Sequence, residues 1–260
     1  MPDKPTPPNG AVMVNRPGYL NPFILDVAGV APEALSDRAD LYLPEGPGPF
    51  PVVVLVPGML REPPEVGPRE WPVFRGYAAL LVSKGVAAVV VGHELTHGPQ
   101  YPEALRTVLR ALDSATARPE VDSKRTAFWV FSAGGPLALA LLAEHGDRFE
   151  SLALTYPLLE SDHLADWPSP DAAVAGLGDH QLVMTTVGQE VPDLAPGQRA
   201  FLTAARASGA EIEHIDLPEA YHGFDSQDPT DDGRRAIGRA VRSVAHRLLG
   251  TDPMTDGTTV

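Results

Sequence analysis

The sequence predicts an α/β protein: a mostly parallel central sheet with helices on both faces. Three observations carry that expectation. Strand-patterned and helix-patterned segments alternate along the chain. The runs Pro51–Val56 (PVVVLV) and Val86–Val91 (VAAVVV) are apolar throughout, as strands buried on both faces are. Gly134–His145 is an almost wholly apolar helix, which needs such a sheet to lie against.

In chain order, Ala39–Leu43 and Pro51–Pro57 read as strands separated by the turn-rich Pro44–Pro49. Val73–Ser83 reads as a helix stopped by Gly85, and Val86–Val91 as the next strand. Leu105, Val108, Leu109 and Leu112 then share one helical face. Thr126–Phe131 is a strand that leads into the apolar helix, which ends at Gly146. Ser151–Tyr156 and Gln181–Val187 are strands, Ala200–Ala207 a helix and Glu211–Leu217 a last strand. The final helix places Ile237, Val241, Val244 and Leu248 on one face and stops at Gly250, with Pro253 beyond.

At 260 residues the chain suits one large domain, expected over 15–250, with disordered tails at 1–14 and 251–260. The opening MPDKPTPPNG has no apolar stretch of the kind a signal peptide carries. No apolar run approaches the roughly 20 residues of a membrane span, so a soluble, cytoplasmic protein is expected. Asp and Glu number 34 against 20 Lys and Arg, a net charge of −14, which argues against nucleic acid and anionic membranes as partners. A small-molecule substrate is expected instead, and the oligomeric state is not readable. There is no cysteine, which removes disulfides, a thiol nucleophile and thiolate metal sites.

Chemistry in parallel sheets gathers at the carboxyl ends of the strands. There, Phe128–Gly135 (FWVFSAGG) runs a strand into a helix with Ser132 at the corner. A serine at a helix start is ordinarily an N-cap. A sharp turn here, however, would raise its hydroxyl above the sheet edge beside unpaired helix N–H groups. The hydroxyl needs a base to become a nucleophile. His222, in the loop AYHGFD before the last helix, is the best placed of the eight histidines. The orienting acid is expected in the loop after QLVMTTV, where Glu190 and Asp193 are both available.

Together these segments resemble the α/β-hydrolase superfamily, in particular its esterase and dienelactone-hydrolase-like branches. The resemblance runs from about Ala39 to Leu249: DLYLPEGPGPFPVVVLVPG is similar to the strand pair entering the oxyanion loop, VDSKRTAFWVFSAGG to the nucleophile elbow, VGQEVPDL to the acid loop and AYHGFD to the histidine loop. GHELTHGPQYPEAL sits where these esterases often carry a loop and a proline before the next helix. The resemblance implies an α/β-hydrolase fold with little or no lid domain, any lid lying at Leu164–Trp167. It implies Ser132 as nucleophile, His222 as general base and Glu190, in preference to Asp193, as the acid. The backbone N–H groups of Met59 and Ala133 would form the oxyanion hole, and neither cofactor nor metal is implied. The expected reaction is hydrolysis of a carboxylic ester with a small to medium acyl group through an acyl-enzyme. The alternatives are acyl-transfer, cyclisation or lyase chemistry on the same fold, or a non-catalytic binding protein.

Three departures stand out. The elbow pattern G-x-S-x-G reads Val130-Phe131-Ser132-Ala133-Gly134, with valine at the first glycine. The oxyanion loop is Pro57-Gly58-Met59-Leu60, without the His-Gly-rich form. The acid is a glutamate. Separately, His93-Glu94-Leu95-Thr96-His97 matches the zinc-protease pattern H-E-x-x-H. That chemistry needs both histidines on one helical face. Here the pattern follows a buried strand and Gly92 directly, with Pro99 and Pro102 close behind, so a strand-end loop near the pocket is expected instead.

Overall fold

The computed structural model describes residues 17–59, 64–93, 100–160, 164 and 166–251. Apart from Thr251, both expected tails lie outside these residues, as do Leu60, Glu94–His97 and Ala165.

Eight strands form one sheet: β1 (Glu33–Ser36), β2 (Ala39–Tyr42), β3 (Phe50–Val56), β4 (Ala87–Val91), β5 (Val121–Phe131), β6 (Ser151–Thr155), β7 (Gln181–Gln189) and β8 (Ile212–Tyr221). Their order is β1-β2-β4-β3-β5-β6-β7-β8. The β1–β2 and β2–β4 pairs are antiparallel, and every pair from β4 through β8 is parallel. All six parallel strands therefore end at one edge of the sheet.

The period-two alternation of strands sorts the core into two layers. Val52, Val54 and Val56 of β3, with Phe128 and Val130 of β5, face one side. There they meet Val108 and Leu112 of α2 (Tyr101–Thr116), Leu137–Leu142 of α3 (Gly135–Glu144), and Phe201 and Leu202 of α5 (Ala195–Ala207). Val53 and Leu55, with Trp129 and Phe131, face the other side. Their partners are Phe74, Tyr77 and Leu81 of α1 (Pro72–Ser83) and Ile237, Val241, Val244 and Leu248 of α7 (Asp231–Leu249). α7 starts at Thr230, whose side chain accepts a hydrogen bond from Gly233 N, and ends at Gly250 with φ 64°. No helix among the described residues is long and apolar enough to cross a membrane.

The expected strands and long helices are present, with different boundaries in places. β5 begins at Val121, because the polar stretch Asp122–Arg125 continues the strand past the edge of the core, where it is partly exposed. β8 runs on to Tyr221, which carries the chain up to His222. α5 begins at Ala195, five residues before the expected start. Strand β1 and the short helices α4 (Pro170–Ala175) and α6 (Phe224–Gln227) have no counterpart in the sequence reading. β1 is an exposed edge strand without an apolar face, so it leaves no alternation to detect.

Leu55 is fully buried in the centre of the sheet. Leu55→Ala is expected to cost about 2–5 kcal/mol, read as a lowered urea midpoint with an unchanged slope.

Candidate active site

β5 ends at Phe131, and the chain turns through Ser132, which takes up φ 49°. That left-handed conformation is unfavourable for a residue with a Cβ and persists only where neighbours enforce it. One turn of 3₁₀ helix over Ser132–Gly134 then leads into α3. The enforcing contacts are visible. Leu158 N donates to Ser132 O at 2.8 Å, and a Cβ on Gly135 would lie 1.8 Å from Leu158 O. A Cβ on Gly134 would lie 2.9 Å from Pro57 O and 3.0 Å from Val130 Cγ1. This accounts for valine at the first position of the elbow pattern: Gly134 leaves the room that Val130 fills. Gly58 is equally confined, since a Cβ there would meet Ser132 Cβ at 2.8 Å.

The Ser132 side chain does not cap the helix. Its Oγ lies 2.7 Å from His222 Nε2. His222 Nδ1 lies 2.7 Å from Glu190 Oε1 on the other side of the ring. Glu190 stands at the end of β7 and His222 follows β8, so neighbouring strands present both partners of one imidazole. The Glu190 carboxylate is almost wholly covered, at 1% side-chain exposure, whereas His222 retains 25%. Val191 N donates to Glu190 Oε1 at 2.8 Å, and Gln198 Nε2 to Glu190 Oε2 at 2.9 Å. Gln198 is itself buried and also donates to Pro157 O at 3.0 Å. Burial pushes the Glu190 carboxyl up, but hydrogen bonds from His222 and Gln198, the imidazole charge and the Val191 N–H outweigh it. The net result is a value below the usual carboxylate range. Asp193, the other acid of this loop, is exposed.

The peptides next to those expected to supply oxyanion donors are tied down by buried side chains. Tyr101 Oη donates to Ala133 O at 2.5 Å, and His93 Nε2 lies 2.7 Å from Pro57 O, two residues before Met59. Burial holds the His93 imidazole below its ordinary range, so it is neutral with its Nε2–H given to that carbonyl. His93 of the H-E-x-x-H pattern thus supports the loop after β3, and the rest of the pattern lies outside the described residues.

A cleft of about 330 Å³ opens beside Ser132 and His222. Met59, Trp71, Val73, Phe74 and Phe131 give it an apolar wall, Tyr19 closes one side, and Ser226 and Gln227 border another. Trp167 Nε1 donates to Pro136 O at 2.8 Å, and Leu164 and Trp167 pack on the α2–α3 side of the core. Of the segment in which any lid was expected, Leu164 and Trp167 thus pack beside α3 and are not among the described residues lining this cleft.

Comparison of the whole fold gives a clear result. A thermostable esterase from Pseudomonas putida ECU1011 superposes with a TM-score of 0.69 over 86% of this chain and 85% of its own, at 17% identity. The chain has the α/β-hydrolase fold. An esterase from Pyrobaculum calidifontis (TM-score 0.64, 19% identity) shares this hydrolase fold over 87% of each chain. So does carboxyl esterase 2 of Tuber melanosporum (TM-score 0.61, 20% identity, 81% and 82% covered). No family model matches the sequence, and no curated protein matches it.

The structure thus brings Ser132, His222 and Glu190 together, with Met59 and Ala133 alongside. Sequence reasoning passed over Gln198, Tyr101, the aromatic wall and a buried carboxylate, Asp225. Only Asp225 had a local signal, being three residues after His222.

Two expectations follow. Gly135→Ala is expected to destabilise by about 3 kcal/mol or more, because the new methyl meets backbone; thermal unfolding checks this. Glu190, with a depressed folded value, contributes stability that is fully present above the ordinary carboxylate range and lost as pH falls through the folded value. The urea midpoint of wild type should therefore fall more steeply on acidification below pH ~4 than that of Glu190→Gln.

Proposed function

We propose that this chain is a serine-dependent hydrolase of carboxylic esters with a small to medium acyl group. The observation that carries the proposal is the unbroken chain from Ser132 Oγ through His222 to a buried Glu190, each link 2.7 Å, beside an apolar cleft. The similarity in fold to proteins described as esterases supports it.

In the proposed reaction, His222 Nε2 takes the Ser132 hydroxyl proton as Oγ bonds to the ester carbonyl carbon. Glu190 holds the ring with Nδ1–H toward itself and stabilises the imidazolium. The Met59 and Ala133 N–H groups receive the developing oxyanion, a contribution of about 3 kcal/mol for each donor. When the tetrahedral species collapses, the C–O bond to the alcohol breaks and His222 returns its proton to the departing oxygen. Water, deprotonated by the same imidazole, then releases the acid and restores the serine. The apolar wall of Trp71, Phe74 and Phe131 shields the reacting carbonyl from bulk water.

A fluorophosphonate probe tests the nucleophile, and turnover of short-chain p-nitrophenyl esters tests the reaction. Labelling is expected on Ser132 and is expected to vanish in Ser132→Ala; labelling that persists in the variant overturns the assignment. Labelling without turnover of any short-chain ester would move the reading to non-hydrolytic chemistry. Glu190→Ala should lower kcat/KM by roughly 10⁴-fold, while Asp193→Ala should stay within about threefold of wild type.

A further inference from the structure

Among the described residues, Asp225 is the one buried carboxylate near the site that the proposed reaction does not use. It lies on α6, is 1% exposed and borders the cleft. Tyr156 Oη lies 2.9 Å from each of its carboxylate oxygens, and Tyr77 Oη donates to Oδ2 at 3.2 Å. No lysine or arginine among the described residues pairs with it, so its burial is offset chiefly by two neutral hydroxyls, with smaller help from His222 and a backbone N–H. The same Tyr156 packs its ring against His222, with centroids 4.4 Å apart and the planes tilted by 52°, and holds a left-handed φ of 39°. An aromatic residue in that conformation needs an external anchor, and the double contact with Asp225 supplies one. The carboxylate therefore acts on the histidine both through the aromatic ring and through its charge.

We propose that Asp225 is a second acid of the site, a positioning residue that fixes Tyr156 against His222 and favours the imidazolium formed during reaction. It rests on the serine-hydrolase reading above and deepens it: Glu190 holds the imidazole at Nδ1, while Asp225 fixes the tyrosine ring packed against it.

The groups that bear on this unit come from every neighbouring element. Tyr77 faces Asp225 from α1, Tyr156 from the end of β6 and His222 from the end of β8, while Glu190 at the end of β7 acts on both Tyr156 and His222. Burial raises the Asp225 carboxyl to about 6, against the lowering effect of the two tyrosine hydroxyls and His222. A folded value above the unfolded one means that stability is fully present below pH ~4 and lost as pH rises toward ~6. Keeping this charge thus destabilises the fold at neutral pH.

The test is the rate of Ser132 labelling by a fluorophosphonate probe across pH 4.5–9, which needs no knowledge of the natural substrate. In Asp225→Asn the labelling rate at its plateau is expected to fall by about tenfold. The acid limb of the rate profile should move to lower pH, because the variant removes a negative charge that interacts with His222. Thermal unfolding should show the variant gaining on wild type as pH rises from 4 to 7. Tyr77→Phe keeps the volume and the Tyr156 contact, and should give a smaller shift of the acid limb in the same direction; it carries the test if Asp225→Asn does not fold. An acid limb unmoved in the folded variants overturns the proposal, whatever the change in plateau rate. Failure of wild type to label at Ser132 overturns the serine-hydrolase reading itself, so the two failures are distinct.

Discussion

The turn at Ser132 forces three stretches of backbone into contact, and the arrangement of the site depends on that crowding. Pro57 O presses on Gly134, Leu158 on Gly135, and Gly58 on the serine itself. None of these approaches admits a Cβ, so the strained φ of 49° is set by main chain and not by adjustable side chains. Helix α3 then starts where the serine needs it, and the loop after β3 can go nowhere but alongside. A strained residue is unfavourable alone by about 1–3 kcal/mol, and here the packed sheet beneath it supplies the rigidity. Valine at position 130 belongs to the same solution, since its methyl occupies the space Gly134 leaves.

Around that turn, each parallel strand contributes one group at its carboxyl end. β3 delivers Gly58 and Met59, β4 His93, β5 Ser132, β6 Tyr156, β7 Glu190 and β8 His222. The lateral order of strands fixes the order of groups, so the serine sits centrally and the imidazole reaches it from the β8 side, supported by Glu190 on the neighbouring strand. The polar support is in turn buried: Gln198 bridges Glu190 to Pro157 O, while Tyr101 and His93 each hold a loop carbonyl. Groups held this way need little reorganisation when charge develops, which is the condition for electrostatic stabilisation.

How far this was legible in the sequence depends on the kind of signal. β3 and β4 are apolar on both faces, so any register reveals them. β1 is exposed and the first half of β5 is polar, so neither carries a pattern, and only pairing makes them strands. Ser132, His222 and Glu190 were readable because each sits in a loop whose order along the chain matches its order in the fold. Phe74, Trp71 and Tyr19 were not, because they reach the cleft from α1 and the segment before it through packing alone. Gln198 and Asp225 look like ordinary surface polar residues until the structure shows them buried. The placing of any lid at Leu164–Trp167 rested on position alone; what the structure adds there is the Trp167–Pro136 hydrogen bond.

The segment around Tyr19 and Ile24 joins the two ends of the described chain. Tyr19 packs against Trp71 and borders the cleft, Ile24 N donates to Asp225 O, and Arg234 of α7 donates to Ile24 O. The cleft is therefore bordered by residues far apart in the described sequence, Tyr19 on one side and Ser226 and Gln227 on another. Any change that loosens residues 19–24 therefore reaches the cleft twice, through the Tyr19 ring and through the backbone of Asp225.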